Sequence, residues 1–249
     1  NISEYTGSKY AIACVNGTSA LQVSLRLADV RNNDEVIVPS LTFIAPVNAI
    51  AYNGAVPIFI DCDEFFNLDS NKVIDFINNE TVFDEGHTYN KKSGRRIAAV
   101  LPVHIWGNAC NLDKLVEACE SRNITIVEDA SESLGTIYSK GIHKGKHTGT
   151  VGRLGTLSFN GNKIITTGGG GMILTNDEEL AKKAKYLTTQ AKDDPVAYIH
   201  NEVGYNFRLT NIQAALGVAQ MEDLSNIIDK KREIYSFYKD NLNQSKGLK

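Results

Sequence analysis

From Tyr10 to Asp129, short apolar runs take turns with stretches whose apolar residues recur at helical spacing, and no other feature limits the fold as much. Tyr10 to Val15 is apolar, Asn16-Gly17-Thr18-Ser19 turns, and Ala20, Leu21, Leu25 and Leu27 then share a helix face. Glu35 to Val38 opens a second round with a helix through Ala45, Ala49 and Tyr52, and Val56 to Ile60 is a third strand ending at Asp61. Ser70 is expected to cap a helix through Ile77, Thr81 to Gly94 to be a polar loop, and Ile97 to Val103 to be a buried strand. Asn111 to Arg122 reads as a helix with Leu112, Leu115, Val116 and Cys119 inward, and Ile124 to Val127 as a strand delivering Glu128 and Asp129. Strands alternating with helices make an α/β layer structure: a mostly parallel sheet covered by helices on both faces, with right-handed crossovers.

After Asp129 the rhythm changes. Lys140 to Gly152 is a loop of glycine, lysine and histidine, followed by short strands near Leu154 to Phe159 and Gly171 to Leu174. Asp177 to Leu187 reads as a helix, Thr188 to Tyr205 as irregular, and Thr210 to Leu224 and Ile227 to Leu242 as helices. No repeat or low-complexity linker marks a domain boundary before about residue 225.

Between the two late strands stands Ser158-Phe159-Asn160-Gly161-Asn162-Lys163, followed by Ile164 to Thr167 and four glycines. Lys163 is the single charged residue from Leu154 to Thr175, unlike a surface lysine among other charges. A lysine so placed gives up its proton readily, and the amine is then free to form a Schiff base with a carbonyl, most commonly that of pyridoxal phosphate. A structural turn that happens to hold a lysine is the competing reading.

Composition narrows the partner. With 26 basic and 29 acidic residues the net charge is -3, which leaves no basic footprint for nucleic acid and no polybasic membrane patch. A small molecule is the expected ligand. Cys14, Cys62, Cys110 and Cys119 form no Cys-x-x-Cys pair and read as reduced thiols, which favours the cytoplasm. No run of eighteen apolar residues occurs, and the start Asn-Ile-Ser-Glu-Tyr, neither signal peptide nor initiator methionine, suggests a fragment or a processed chain.

Other residues carry two readings each. Gly17-Thr18-Ser19 at a strand-to-helix junction suits a phosphate, and equally a helix cap. Asp129, at a strand end where ligands of α/β sheets collect, suits a protonated heterocycle nitrogen, or again a helix cap. Phe43 is placed to stack on a flat ring or to join the core. His104, His143 and His147 have no carboxylate or cysteine at ligand spacing, which argues against a metal, and no nucleophile-elbow context supports a hydrolase.

Six segments in order resemble one family, the DegT/StrS pyridoxal-phosphate sugar aminotransferases of the aspartate-aminotransferase fold (fold type I). They are Asn16 to Leu21, Glu35 to Phe43, Leu101-Pro102-Val103-His104, Glu128 to Gly135, Ser158 to Lys163, and Gly204-Tyr205-Asn206-Phe207-Arg208. The resemblance implies that Lys163 bonds the cofactor aldehyde, Asp129 pairs with the pyridine nitrogen, and Phe43 stacks on the ring. It implies phosphate contacts from the Thr18 and Ser19 amides and the Ser158 hydroxyl, and places Glu132 near the ring hydroxyl. Asn206 would reach the phosphate of a neighbouring subunit in a homodimer with shared sites, and Arg208 the substrate phosphates. The implied reaction moves an amino group from L-glutamate to the keto carbon of a nucleotide-linked 4-keto-6-deoxy sugar, for bacterial surface glycans. Residues 1–225 would be the cofactor-binding large domain and 226–249 a helix leading toward a small C-terminal domain largely absent here. The alternatives are a non-catalytic nucleotide-binding α/β module and a pyridoxal-phosphate sugar dehydratase. Dehydratase relatives resemble the family with histidine at the lysine position, so Lys163 argues against the second.

Overall fold

A computed structural model describes residues 1–194 and 196–242; residues 243–249, the end of the expected segment 226–249, lie outside the described residues. A short helix α1 (Ile2–Thr6) opens the chain. Strand β1 (Tyr10–Cys14) leads to α2 (Gly17–Leu27), β2 (Glu35–Pro39) to α3 (Ile44–Tyr52), and β3 (Val56–Ile60) to α4 (Ser70–Glu80). A hairpin of β4 (Thr81–Asp84) and β5 (His87–Asn90) precedes β6 (Ile97–Val100), α5 (Asp113–Glu120) and β7 (Thr125–Asp129). Then come β8 (Leu154–Ser158), β9 (Gly171–Thr175), α6 (Glu178–Thr188), α7 (Asn211–Glu222) and α8 (Leu224–Leu242).

The main sheet has the order β1-β9-β8-β7-β6-β2-β3. Parallel pairing joins β8, β7, β6, β2 and β3, and β9 lies antiparallel between β8 and β1. All strands of this sheet except β9 therefore run the same way, and their C-terminal ends share one edge. This is the mostly parallel mixed sheet expected from the alternation of elements.

Alternation within the strands decides the two faces. Val36 and Val38 of β2, Val127 of β7, Leu154 of β8 and Ile173 of β9 pack beneath α2, α3 and α6. Ile37, Val100 and Ile126 point the other way, toward Val73 and Ile77 of α4 and Leu115 and Cys119 of α5. A smaller group under α1 and α8 joins Ile2 and Leu224 to Leu157, Phe159 and Leu174. Helix α2 is the central buttress: Leu21 and Leu25 are fully buried and contribute about 1.5–3 kcal/mol each relative to exposure. Leu25→Ala would cost about 2–5 kcal/mol by leaving a cavity there.

Three expectations need correction. Thr81 to Gly94 is not a polar loop throughout, because β4 and β5 pair antiparallel across Glu85-Gly86, both at positive φ (46° and 80°), the backbone of a tight hairpin turn. The strand expected to reach Val103 ends at Val100, just ahead of Pro102, which has no N–H to give to a ladder. Asp69, not Ser70, caps α4, its carboxylate accepting the amides of Asn71 and Lys72, while Ser70 is the first helical residue. The four cysteines are free, and burial pushes the thiols of Cys14, Cys110 and Cys119 up to about 12, which makes them inert core groups. Among the described residues no helix is long and apolar enough to cross a membrane.

Candidate active site

The shared C-terminal edge of the strands gathers the start of α2, Phe43, Asp129 and Ser158, with Lys163 in the loop from β8 to β9. Helix α2 begins in close contact with β8. A Cβ on Gly17 would lie 2.7 Å from the Ser158 Cβ and 3.3 Å from the Ser131 Oγ, so two hydroxyl-bearing residues lie directly against the first turn. Gly171 completes the approach from β9, where a Cβ would come within 2.5 Å of the Asn16 carbonyl carbon. Unpaired amides and the dipole at the N-terminus of an eleven-residue helix suit an anion. One amide is already engaged: the Ser19 N–H donates to Asn16 Oδ1 at 2.8 Å, the cap of α2. A phosphate would compete with that cap or take the Ser19 hydroxyl.

Asp129 ends β7 and is buried, with Oδ1 accepting the Ser131 N–H at 3.0 Å. No helix follows it, so the cap reading fails. Burial pushes its carboxyl above the usual range, and the hydrogen bonds from Ser131 and the charge of Lys163 only partly oppose this. A cation set against Asp129 would stabilise the ionised form, which is the complement a protonated ring nitrogen offers.

Lys163 Nζ lies 3.2 Å from Glu132 Oε1, and Glu132 Oε2 accepts the Trp106 N–H at 2.9 Å. The charge-free neighbourhood read along the chain therefore does not survive in space: a carboxylate 31 residues away is the partner of the lysine. Phe43 precedes α3 with 73% of its surface exposed, so it is not a core residue and its ring faces outward. Asn206 and Arg208 are exposed, their segment held beside the end of β1 by Val15 N–H donating to the Phe207 carbonyl at 2.8 Å. Arg208 donates to Gln190 Oε1 at 3.3 Å, and no described hydrogen bond or ion pair joins either side chain to Lys163, Asp129 or Ser158.

Sequence reasoning missed Ser131, Trp106 and the partner of His104. His104 Nε2 and Glu128 Oε2 are 2.9 Å apart in a fully buried pair, although no ligand-type spacing joins them along the chain. Ser131 was findable as the small polar residue two positions beyond a strand-end aspartate; nothing local announces Trp106. Two clefts are lined by neither Lys163 nor Asp129. One of about 420 Å³ surrounds Cys119, Asn123 and Arg153 near the start of β7, and an apolar groove of about 310 Å³ runs between α1, β1 and α7.

An amine, a buried carboxyl and a helix N-terminus pressed onto two serines fit a cofactor with an aldehyde, a basic ring nitrogen and a phosphate. The profile of the DegT/DnrJ/EryC1/StrS aminotransferase family matches residues 1–249. This chain belongs to that family. GDP-perosamine synthase of Caulobacter vibrioides is 41% identical to it over 241 residues, covering 96% of this chain and 59% of that protein. GDP-perosamine synthase of Vibrio cholerae is 35% identical over 240 residues, covering 96% and 60%. The crystal structure of a DegT DnrJ EryC1 StrS aminotransferase from Brucella abortus superposes with a TM-score of 0.85 at 29% identity, covering 97% of this chain and 61% of that one. The chain thus spans about 60% of the length of such relatives. Its α/β layers are those of the DegT-type aminotransferases, a family that works with pyridoxal phosphate.

Proposed function

We propose that this chain is the cofactor-binding part of a pyridoxal-phosphate-dependent sugar-nucleotide aminotransferase. It would move an amino group from L-glutamate to the keto carbon of a nucleotide-linked 4-keto-6-deoxy sugar in the cytoplasm, for bacterial surface glycans. The observation that carries the reading is the convergence of Lys163 and buried Asp129 beside the α2 N-terminus, the three groups that one phosphorylated pyridine aldehyde needs. Relatives named as GDP-perosamine synthases support a nucleotide-linked sugar as substrate. The domain division at about residue 225 belongs to the same proposal, and the coverage of about 60% supports it.

Pyridoxal phosphate, when bound, supplies an aldehyde and an electron-withdrawing ring on which an amino group is held between two half-reactions. Lys163 Nζ would hold the aldehyde until the amino donor displaces it, and then carry the proton between the donor's α-carbon and the cofactor carbon. Asp129 would hold the proton on the ring nitrogen. Thr18, Ser19 and Ser158 would hold the phosphate, Phe43 would cover a ring face, and Glu132 would face the ring hydroxyl. In a homodimer Asn206 of one subunit would complete the phosphate site of the other, with Arg208 turned to the substrate phosphates.

The test is borohydride reduction of the full-length protein with pyridoxal phosphate, followed by peptide mass mapping. A pyridoxyl group on the Lys163 peptide, absent from Lys163→Ala, is the expected result, together with loss of transamination in that variant. A label elsewhere, none at all, or near-normal turnover by Lys163→Ala would overturn the reading. Assay against UDP-, GDP- and dTDP-linked keto sugars then identifies the acceptor.

A further inference from the structure

One ionisable group at the sheet edge has no part in the reaction just described, although it is more completely buried and more fully bonded than any that does. Glu128 precedes Asp129 on β7 and, by strand alternation, projects from the opposite face. Its Oε1 accepts the amides of Val151 at 2.7 Å and Gly152 at 2.6 Å, and its Oε2 accepts the Gly149 amide at 2.9 Å. The fourth donor is His104 Nε2, also at 2.9 Å from Oε2. The Cys110 N–H donates to His104 Nδ1 at 3.0 Å, so the ring proton sits on Nε2 and points at the carboxylate. Four donors on two oxygens fit an ionised carboxylate. Burial alone would raise the carboxyl, but these bonds outweigh it and hold Glu128 below the ordinary range.

Each donor belongs to a segment that carries part of the site. His104 leads into Trp106, whose amide holds Glu132 against Lys163. The His104 N–H also donates to the Asp129 carbonyl at 3.0 Å, and the Asp129 N–H donates to the Pro102 carbonyl at 2.9 Å. Loop 149–152 lies on β8, where a Cβ on Gly155 would fall 1.9 Å from the Gly149 oxygen, and β8 ends at Ser158. We propose that Glu128 is a positioning residue: its buried charge locks the His104 loop, the end of β7 and loop 149–152 together, and so fixes Asp129 relative to the Lys163–Glu132 pair. A hydrophobic residue would fill the space, but it could not satisfy four donors arriving from two segments, the His104 loop and loop 149–152. Because a misplacement on the scale of 1 Å costs about a hundredfold in rate, an anchor of this kind bears directly on turnover.

This inference rests on reading Asp129 as a cofactor contact, so its test has an arm that needs no cofactor. Glu128→Gln keeps the shape, removes the charge and turns an NH2 toward amide donors. In the full-length apoprotein, hydrogen exchange should show protection of the Ser131 amide, the reporter of the Asp129 side chain, falling about tenfold or more beyond any change in the slowest-exchanging core amides. In the holoenzyme, kcat should fall by about ten- to a hundredfold while the KM for the amino donor moves less than about threefold. A lower melting temperature with unchanged relative protection at Ser131 and unchanged kcat would leave Glu128 a merely structural group and overturn the proposal. If Glu128→Gln does not fold, two variants of His104 decide. His104→Asn keeps an acceptor for Cys110 and loses the donor to Glu128; His104→Gln does the reverse. Impairment at Ser131 confined mainly to the asparagine variant supports the lock, and equal behaviour of the two refutes it. Protein that takes up no pyridoxal phosphate overturns the cofactor reading instead, and the exchange result still judges this one.

Discussion

Replacing Gly17 by alanine tests the seat at the start of α2 with a single methyl group. The new Cβ would lie 2.7 Å from the Ser158 Cβ and 3.0 Å from its Oγ. Ordinary contact begins near 3.4 Å, so about 0.7 Å must be found, and both carbons are fixed to backbone within regular elements. Overpacking of this kind costs about 1–3 kcal/mol, and the better helix propensity of alanine returns at most about 1 kcal/mol. A net destabilisation of about 1–2 kcal/mol follows, with helix and strand forced apart where the phosphate would sit. Urea unfolding of the apoprotein measures the first effect. Titration with pyridoxal phosphate measures the second, expected as a loss of affinity of about tenfold or more, the equivalent of 1.4 kcal/mol. Adding Ser158→Gly removes the opposing Cβ and should restore much of the stability, but not the affinity, since the serine hydroxyl goes with it. Wild-type stability and affinity in Gly17→Ala would show that the close approach of α2 and β8 is not what shapes the site.

Asp129→Asn should keep the fold and cut turnover by about a hundredfold or more, because an amide cannot hold a proton on the ring nitrogen as a carboxylate does; turnover within a few-fold of wild type removes Asp129 from the chemistry. Burial lowers the pKa of both His143 and His147, so each favours folding fully above the ordinary imidazole value of about 6.5 and loses that contribution as pH falls toward its depressed folded value. Urea midpoints should therefore fall between about pH 6.5 and 5 and fall less in a His143→Gln, His147→Gln double variant; equal slopes would refute the assignment. Mixing full-length Lys163→Ala with a variant changed at both Asn206 and Arg208 should regain partial activity if sites are shared across a dimer. No recovery despite demonstrated subunit exchange would confine Asn206 and Arg208 to their own chain.

Much of this was legible because the physics is local. A strand buried on both faces must be apolar throughout, as Glu35-Val36-Ile37-Val38-Pro39 nearly is, and a helix buried on one face must repeat at its own period, as α2 does with Leu21 and Leu25. Lys163 stood out for the same reason, since its loop lacks the charges of an ordinary surface. What was not legible arises between distant segments. Glu132 reaches Lys163 and Glu128 reaches His104 only after parallel strands set their registers, which no spacing along the chain encodes. The β4–β5 hairpin was missed because its strands are only four residues each, with a turn that rests on Glu85 in a left-handed conformation, where glycine or asparagine would have advertised it.

The stretch from Glu128 to Glu132 shows how far environment outruns composition. Three carboxylates within five residues meet three different surroundings. Glu128 is buried among four donors and held ionised, Asp129 is buried with fewer and its carboxyl is raised, and Glu132 is partly exposed beside the lysine. Exchanging the side chains at 128 and 129 would conserve charge and composition and still fail twice. Aspartate at 128 is a methylene short of its donors, and glutamate at 129 pushes its carboxylate a methylene too far into the space a ring would occupy. Strand alternation supplies the first separation, sending 128 and 129 to opposite faces, and the turn through Ser131 supplies the second by carrying Glu132 over to Lys163. On the proposed reading, the order of these residues, and not their acidity, makes Glu128 an anchor and Asp129 a partner for a cation, while Glu132 is the counter-ion of Lys163.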